Sequence, residues 1–227
     1  MVEFYVLLGI AVVFSALFIA FWKPNTPHLD IFLKSLATIS VISLAIVTVS
    51  SAGLNEVTIL LLVGLLFCMM GDLVLALREY NIPEAENKLI TMGEASFGIA
   101  QIFFIAMLAI ITNLVSLWGL IFGAVFAVGM LFSRGLLKLD FGKCLVPSLA
   151  YGFLLASNVG GSLIALIMGY NSINYILLFA GFLMFIVSDL ILSKIYFGGN
   201  KSVWTQKINY VFYYLAIILL ASALVIF

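Results

Sequence analysis

Asp72, in the stretch MGDLVLAL, and Asp189, in the stretch VSDLILSK, each sit inside an apolar run long enough to cross a bilayer. A charge at mid-helix in lipid costs a few kcal/mol even on the gentler insertion scales, and an aspartate is too short to reach far toward water. Two such residues in like settings point to a shared functional site. One protonated and one ionised carboxyl is the pair that general acid–base chemistry uses. A proton relay in a carrier uses the same pair, so the two aspartates by themselves admit both chemistries.

Further polar residues fall at the same depth. Counted at 1.5 Å per helical residue, Asp72 lies about 9 Å short of Arg78, and Asp189 about 7.5 Å short of Lys194. Glu94 and Lys34 stand near the starts of two other apolar runs. Three carboxyls against one lysine leave excess negative charge in a low-dielectric site, which one proton shared among the carboxyls would offset. Helical spacing adds uncharged partners. Glu94 and Gln101 are seven apart on one face; Tyr151, Asn158 and Ser162 form a stripe; Asn209 pairs with Tyr213, Tyr210 with Tyr214, and Lys34 with Thr38. Plainer readings compete at each position. Lys34 snorkels and Glu94 faces headgroups in one reading, the tyrosines belong to an interfacial belt, and Gln101 and Asn158 are interhelical glue. Gly119 and Gly123 form a GxxxG best read as packing, and Cys68 and Cys144 read as small packing residues. His28, read as a loop residue beside Pro27 and Asp30, lacks the clustered partners of a metal site. An ion held by Asp72, Asp189 and Glu94 would be an all-oxygen, magnesium-like case, and nothing positive in the sequence calls for a metal or a cofactor.

The elements that must position these residues are membrane helices. The 227-residue chain is 65% hydrophobic and 9% charged, a balance that would leave a soluble domain of this size with a mostly apolar surface. Alternating half-polar strands of barrel type are absent, so the class is an all-α membrane protein. Polar punctuation marks eight spans near 3–22, 31–52, 57–77, 89–112, 114–132, 144–168, 172–193 and 207–227. The connections are short, so residues 1–227 read as a single transmembrane domain, a polytopic bundle of eight transmembrane helices. Glu3 stands where a cleaved signal peptide would carry basic residues, so the first span is expected to be retained.

All ten basic residues fall in or beside the first, third, fifth and seventh connections. The positive-inside rule puts that side in the cytoplasm, with both termini outside and the acidic residues in the cytoplasmic leaflet. The MGDLVLAL and VSDLILSK segments end the third and seventh spans, four helices apart, which fits a parallel 4+4 internal repeat. Zero formal net charge gives no pull toward nucleic acid, and no nucleic-acid partner is expected.

Several segments, in order, resemble the YhhN family of membrane proteins, whose characterised members are lysoplasmalogenases. They are LKSLAT at Lys34, GDLVLAL at Asp72, GEASFGIAQIFF from Gly93, PSLAYGFLLASN from Pro147, YYLAIIL from Tyr213, and GFLMFIVSDLILSKIYF. The last is the most specific, with Gly181, Phe185, Ser188 and Asp189 at the family's spacing. The chain departs from the family at Gln101, commonly His, and Ile217, commonly Gln. The resemblance implies an ether hydrolase in lipid metabolism, located as a multi-pass protein in the bacterial cytoplasmic membrane. It would cleave the vinyl-ether bond of a lysoplasmalogen, a lysophospholipid, to a fatty aldehyde and a glycerophospho-headgroup. Protonation of the vinyl ether gives an oxocarbenium-like cation, a problem that glycosidases solve with two carboxyl groups. Asp72 and Asp189 would then be catalytic, with the acid and the base unassigned. Lys34, Glu94, Gln101, Tyr151, Asn158, Ser188, Tyr213 and Tyr214 would bind substrate or support the pair. The alternative is a proton-coupled transporter of a small solute or lipid built on the same carboxylates.

Overall fold

A computed structural model describes residues 2–24, 26–80, 83–170 and 172–223. Parts of the connections after the first, third and sixth spans (Asn25, Asn81, Ile82, Asn171) and the end of the eighth span (224–227) lie outside the described residues. Eight α-helices follow one another: α1 Val2–Phe21, α2 Pro27–Ala52, α3 Glu56–Ala76, α4 Glu86–Ile111, α5 Gly119–Leu136, α6 Leu145–Ile167, α7 Ile173–Tyr196 and α8 Val203–Ser222. Helices are the expected solution for a single chain in hydrocarbon, because every backbone N–H and C=O is satisfied within its own segment.

Seven of the eight are long and apolar enough to cross a membrane; α8 is the exception among the described residues. Its first half carries Thr205, Gln206, Lys207 and Asn209, which lower its hydropathy. The reason is burial: Asn209, Tyr210, Tyr213 and Tyr214 face the interior of the bundle, where the polar groups find protein partners instead of lipid.

Local chemistry sets the ends. The second helix begins four residues earlier than the sequence pattern marks, because Pro27 stands in its first turn, where its missing N–H costs nothing. His28 is therefore helical, correcting its reading as a loop residue, and its Nδ1 lies 3.2 Å from Tyr80 Oη. At the opposite end of the bundle Gly53 turns the chain at φ +87°, and Asn55 and Thr58 form a reciprocal cap on α3. The fifth helix starts at Gly119 and not at 114, because Asn113 and Leu114 take positive φ and the chain then makes a short 3₁₀ turn over Val115–Trp118.

Small residues decide the pairings. The third helix packs most closely on α4, α5 on α6, and α7 on α8. At Gly119 an added Cβ would meet the Gly161 amide nitrogen at 2.3 Å, and at Gly123 the Ser157 hydroxyl at 2.1 Å. The GxxxG pair is thus a packing surface that lets the α5 and α6 backbones touch. Phe18, Phe104, Phe182, Phe185 and Tyr214 fill the centre and are fully buried.

Candidate functional site

A cavity of about 450 Å³ opens at the end of the bundle that carries the basic residues. Asp72, Asp189, Glu94 and Lys34 all line it, brought together from α3, α7, α4 and α2. Its volume falls in the range of small-ligand sites.

Asp72 is the most completely held of the acids. It is 3% exposed. Its Oδ1 lies 3.0 Å from Lys34 Nζ, and its Oδ2 accepts from Tyr213 Oη at 2.6 Å and Thr38 Oγ1 at 3.2 Å. Lys34 also lies 5.7 Å from the Tyr210 ring centre, so the ammonium has a carboxylate on one side and an aromatic face on another. Tyr214 completes this cluster. Its hydroxyl donates to the Lys34 carbonyl at 3.4 Å and lies 3.4 Å from Thr38 Oγ1. A buried ion pair survives desolvation only when its remaining lone pairs are bonded, and these residues supply those bonds.

Asp189 has a different shell. Tyr151 donates to its Oδ2, and no cation pairs with it among the described residues. Glu94 and Asp72 both lie within electrostatic reach. Glu94 Oε1 accepts from Ser148, whereas its Oε2 is buried without a partner. Of the two lysines that line the cavity, Lys34 and Lys194, Lys34 is committed to Asp72.

One aromatic wall joins the tyrosine partners of the two aspartates. The Phe97 ring centre lies 6.3 Å from that of Tyr151, the partner of Asp189, and 6.0 Å from that of Tyr213, the partner of Asp72. Phe185 closes on Phe97 and Tyr213 at 6.1 and 5.5 Å. Gly71 makes room for this wall: a Cβ there would stand 2.6 Å from the Phe97 ring. The neighbour admitted by the glycine before Asp72 is thus a phenyl ring of α4.

Ser188 lines the cavity beside Asp189. Its carbonyl and hydroxyl both accept from Asn209 Nδ2, at 2.7 and 3.1 Å, which pins α7 to α8 beside the site. Gln101 and Asn158, expected to bind substrate or support the aspartate pair, fall outside the cavity lining. They are fully buried, and Asn158 Nδ2 donates to Gln101 Oε1 at 2.9 Å and to its carbonyl at 3.0 Å. The reason is helical rise: seven residues beyond Glu94, Gln101 lies about 10 Å deeper toward the opposite end of the bundle. Ser162 spends its hydroxyl on the Asn158 carbonyl at 2.7 Å. Ile217, also fully buried, packs in the apolar core. Of the stripe on α6, only Tyr151 reaches the cavity.

Ser148, Asn209, Asp30 and Trp22 also line the cavity. Ser148 stands three residues before Tyr151, so the helical spacing itself carries the signal. Asp30 and Trp22 flank the first connection, where neither neighbouring motif nor periodicity points inward.

A family model described as the YhhN family matches residues 29–224. No curated protein and no solved structure matches the chain.

Proposed function

The chain belongs to the YhhN family, and from that premise we propose that it is a membrane hydrolase cleaving the vinyl-ether bond of lysoplasmalogens. The observation that carries the reading is the unequal compensation of two carboxyls on one amphipathic cavity. Asp72 faces a lysine and two hydroxyl donors; Asp189 faces a tyrosine and two other acids.

In this reading Asp189 is the acid. It delivers a proton to the β-carbon of the vinyl ether, and the π electrons move to that new C–H bond, leaving an oxocarbenium-like cation at the α-carbon. The Asp72 carboxylate, paired with Lys34 at 3.0 Å, stabilises that cation. Water adds to the α-carbon and gives up its proton to the Asp189 carboxylate, which restores the acid. The resulting hemiacetal breaks its C–O bond, with the hydroxyl proton passing to the leaving oxygen. The sum is one water consumed, one fatty aldehyde and one glycerophospho-headgroup released. Tyr151 and Tyr213 orient the two carboxyls, and the Phe97 wall keeps the cation away from bulk water. Residues from α2, α3, α4 and α7 supply the polar part of the cavity, while Phe126 and Met130 of α5 and Leu190 and Leu192 of α7 give it an apolar side suited to a hydrocarbon chain.

The site is further proposed to face the cytoplasm of a bacterial membrane, with both termini outside, because every basic residue belongs to one end of the bundle. A C-terminal reporter active only in the cytoplasm would reverse that orientation. The activity is tested with purified protein in detergent, a lysoplasmalogen substrate, and measurement of aldehyde release. Wild type is expected to release aldehyde, and Asp72→Asn and Asp189→Asn to release little. A folded wild type that cleaves no vinyl ether would overturn the reading.

A further inference from the structure

Besides the Glu94 oxygen described above, the mechanism leaves two buried polar groups of the same cavity unused. Asp30, in the first turn of α2, is 3% exposed. Its Oδ1 accepts from Thr26 Oγ1 at 3.2 Å, and the Lys23 backbone amide lies beside the carboxyl. Its Oδ2 is buried with no hydrogen-bond partner. Trp22, just past the end of α1, is 6% exposed, and its indole Nε1 likewise has none. Both residues line the cavity. A helix N-terminus favours an acid at the position of Asp30, but that accounts for the residue type and leaves the free oxygen unexplained. A buried carboxylate oxygen and a buried N–H, both idle, each cost free energy that a ligand would recover.

What such a ligand must carry follows from the pair. The indole N–H donates, so it suits an anionic oxygen. The carboxylate accepts, so it suits a cation. Aromatic faces lie beside Trp22, and Lys34, one turn from Asp30, stands over the Tyr210 ring. The Tyr210 ring centre lies 5.6 Å from that of Trp22 and 4.8 Å from that of Phe18, and an alkylammonium is a group that such rings attract. Lys34 is already bound to Asp72, so the nearest lysine of α2 does not neutralise Asp30. Along α2 the order is Asp30 in the first turn and Lys34 one turn deeper. A lipid with its reactive bond at the aspartates would therefore place its headgroup at Asp30.

We infer that Asp30 and Trp22 form a subsite for a zwitterionic phosphoammonium headgroup, with Asp30 holding the ammonium and Trp22 donating to the phosphate. The inference rests on the hydrolase reading for the orientation of the lipid, but its binding test is independent of turnover. The probes are saturated ether lysolipids, which carry no vinyl bond to cleave. A lysophosphocholine, a lysophosphoethanolamine and the corresponding glycerophosphate, all of one chain length, are titrated into the full-length protein. Fluorescence is read from a Trp118→Phe/Trp204→Phe background in which Trp22 is the remaining tryptophan of the chain's three.

The ammonium lipids are expected to bind about tenfold tighter than the phosphate lipid. Asp30→Asn removes that preference while the variant stays monodisperse, and Trp22→Phe, followed by thermal-shift titration, weakens all three lipids and keeps their order. Equal affinity of the three lipids for the parent protein overturns the inference without any variant at Asp30. A preference that survives Asp30→Asn overturns it as well. Choline chloride alone binding as tightly as the choline lipid would overturn the lipid source in favour of a free amine. Headgroup preference in a protein that releases no aldehyde leaves the subsite standing and removes the hydrolase; aldehyde release without headgroup preference does the reverse.

Discussion

Asp72 and Asp189 sit in nearly the same sequence, small–Asp–Leu–aliphatic–Leu, and end up in opposite electrostatic settings. Around Asp72 the bundle supplies a lysine, a threonine and a tyrosine. Asp189 receives one tyrosine and shares its surroundings with Glu94. The motif therefore delivers a carboxyl to a given depth, and the neighbouring helices decide what that carboxyl does. On α2, which packs against α3, Lys34 stands opposite Asp72. On α6, which packs against α7, the facing positions hold Tyr151 and no cation. A pair of unlike carboxyls made from like motifs is what proton transfer to a substrate asks for.

Substitutions test that contrast in decreasing order of effect. Asp189→Asn and Asp72→Asn are each expected to lower the rate of aldehyde release by roughly 10²–10⁴-fold, the usual worth of a positioned acid or base. Equal residual activity in both would blur the division of roles; activity surviving the double substitution would end it. Lys34→Met leaves Asp72 as a lone buried carboxylate and is expected to cost about 3–5 kcal/mol in thermal unfolding followed in detergent. Adding Asp72→Asn to Lys34→Met should restore most of that loss, whereas Asp189→Asn should restore little. Reversal of that order would mean that the lysine serves Asp189. Tyr213→Phe and Tyr151→Phe each remove a donor to a carboxyl. Each is expected to cost about 1.5–3 kcal/mol, measured as kcat/KM for Tyr151→Phe and as stability together with kcat/KM for Tyr213→Phe.

The remaining two probes address the scaffold. Gly71→Ala drives a methyl into the Phe97 ring and is expected to cost about 1–3 kcal/mol in thermal stability, with activity falling as the wall shifts. Phe97→Leu in the same chain should recover part of the stability. Smallest of all, Gln101→Leu with Asn158→Leu breaks an interhelical hydrogen bond worth about 0.6 kcal/mol in membrane helices, and it should leave aldehyde release unchanged. A large loss of activity there would return Gln101 and Asn158 to the site.

The two ends of the bundle differ for the same physical reason as the two aspartates. Away from the cavity, hydroxyls close on their own helix. Thr48 donates to the Leu44 carbonyl, Thr112 to that of Leu108 and Ser157 to that of Phe153. Such residues need no tertiary partner, and a sequence reader sees them only as small polar interruptions. At the cavity the side chains are longer or charged, and their partners lie on other helices.

That distinction sets what could be read from the chain alone. The number and order of helices and the gathering of Asp72, Asp189, Glu94 and Lys34 around one cavity were legible, because lipid imposes length and hydropathy on each segment and rise per residue sets how far along a helix a side chain stands. The start of α5 was misplaced by five residues because the left-handed pair Asn113–Leu114 carries no glycine to mark it. Gln101 and Asn158 were drawn toward the site because a shared helical face gives azimuth, and depth separates them from Glu94. Asp30 falls in the first connection by the sequence pattern, where a charged residue carries no signal of a site.

By itself the sequence determined that this chain builds a helical bundle rich in membrane-spanning segments and that two aspartates stand within its apolar helices. The hydrophobic effect and the cost of unsatisfied backbone groups in hydrocarbon leave no other arrangement for these apolar runs. Only the tertiary structure decided that Lys34 answers Asp72 and not Asp189, that Phe97 packs over Gly71 against both tyrosine partners, and that Asp30 and Trp22 line the cavity with polar atoms left unpartnered. Those outcomes depend on which faces of which helices meet, and a one-dimensional pattern carries spacing along a helix but not the identity of the helix across from it.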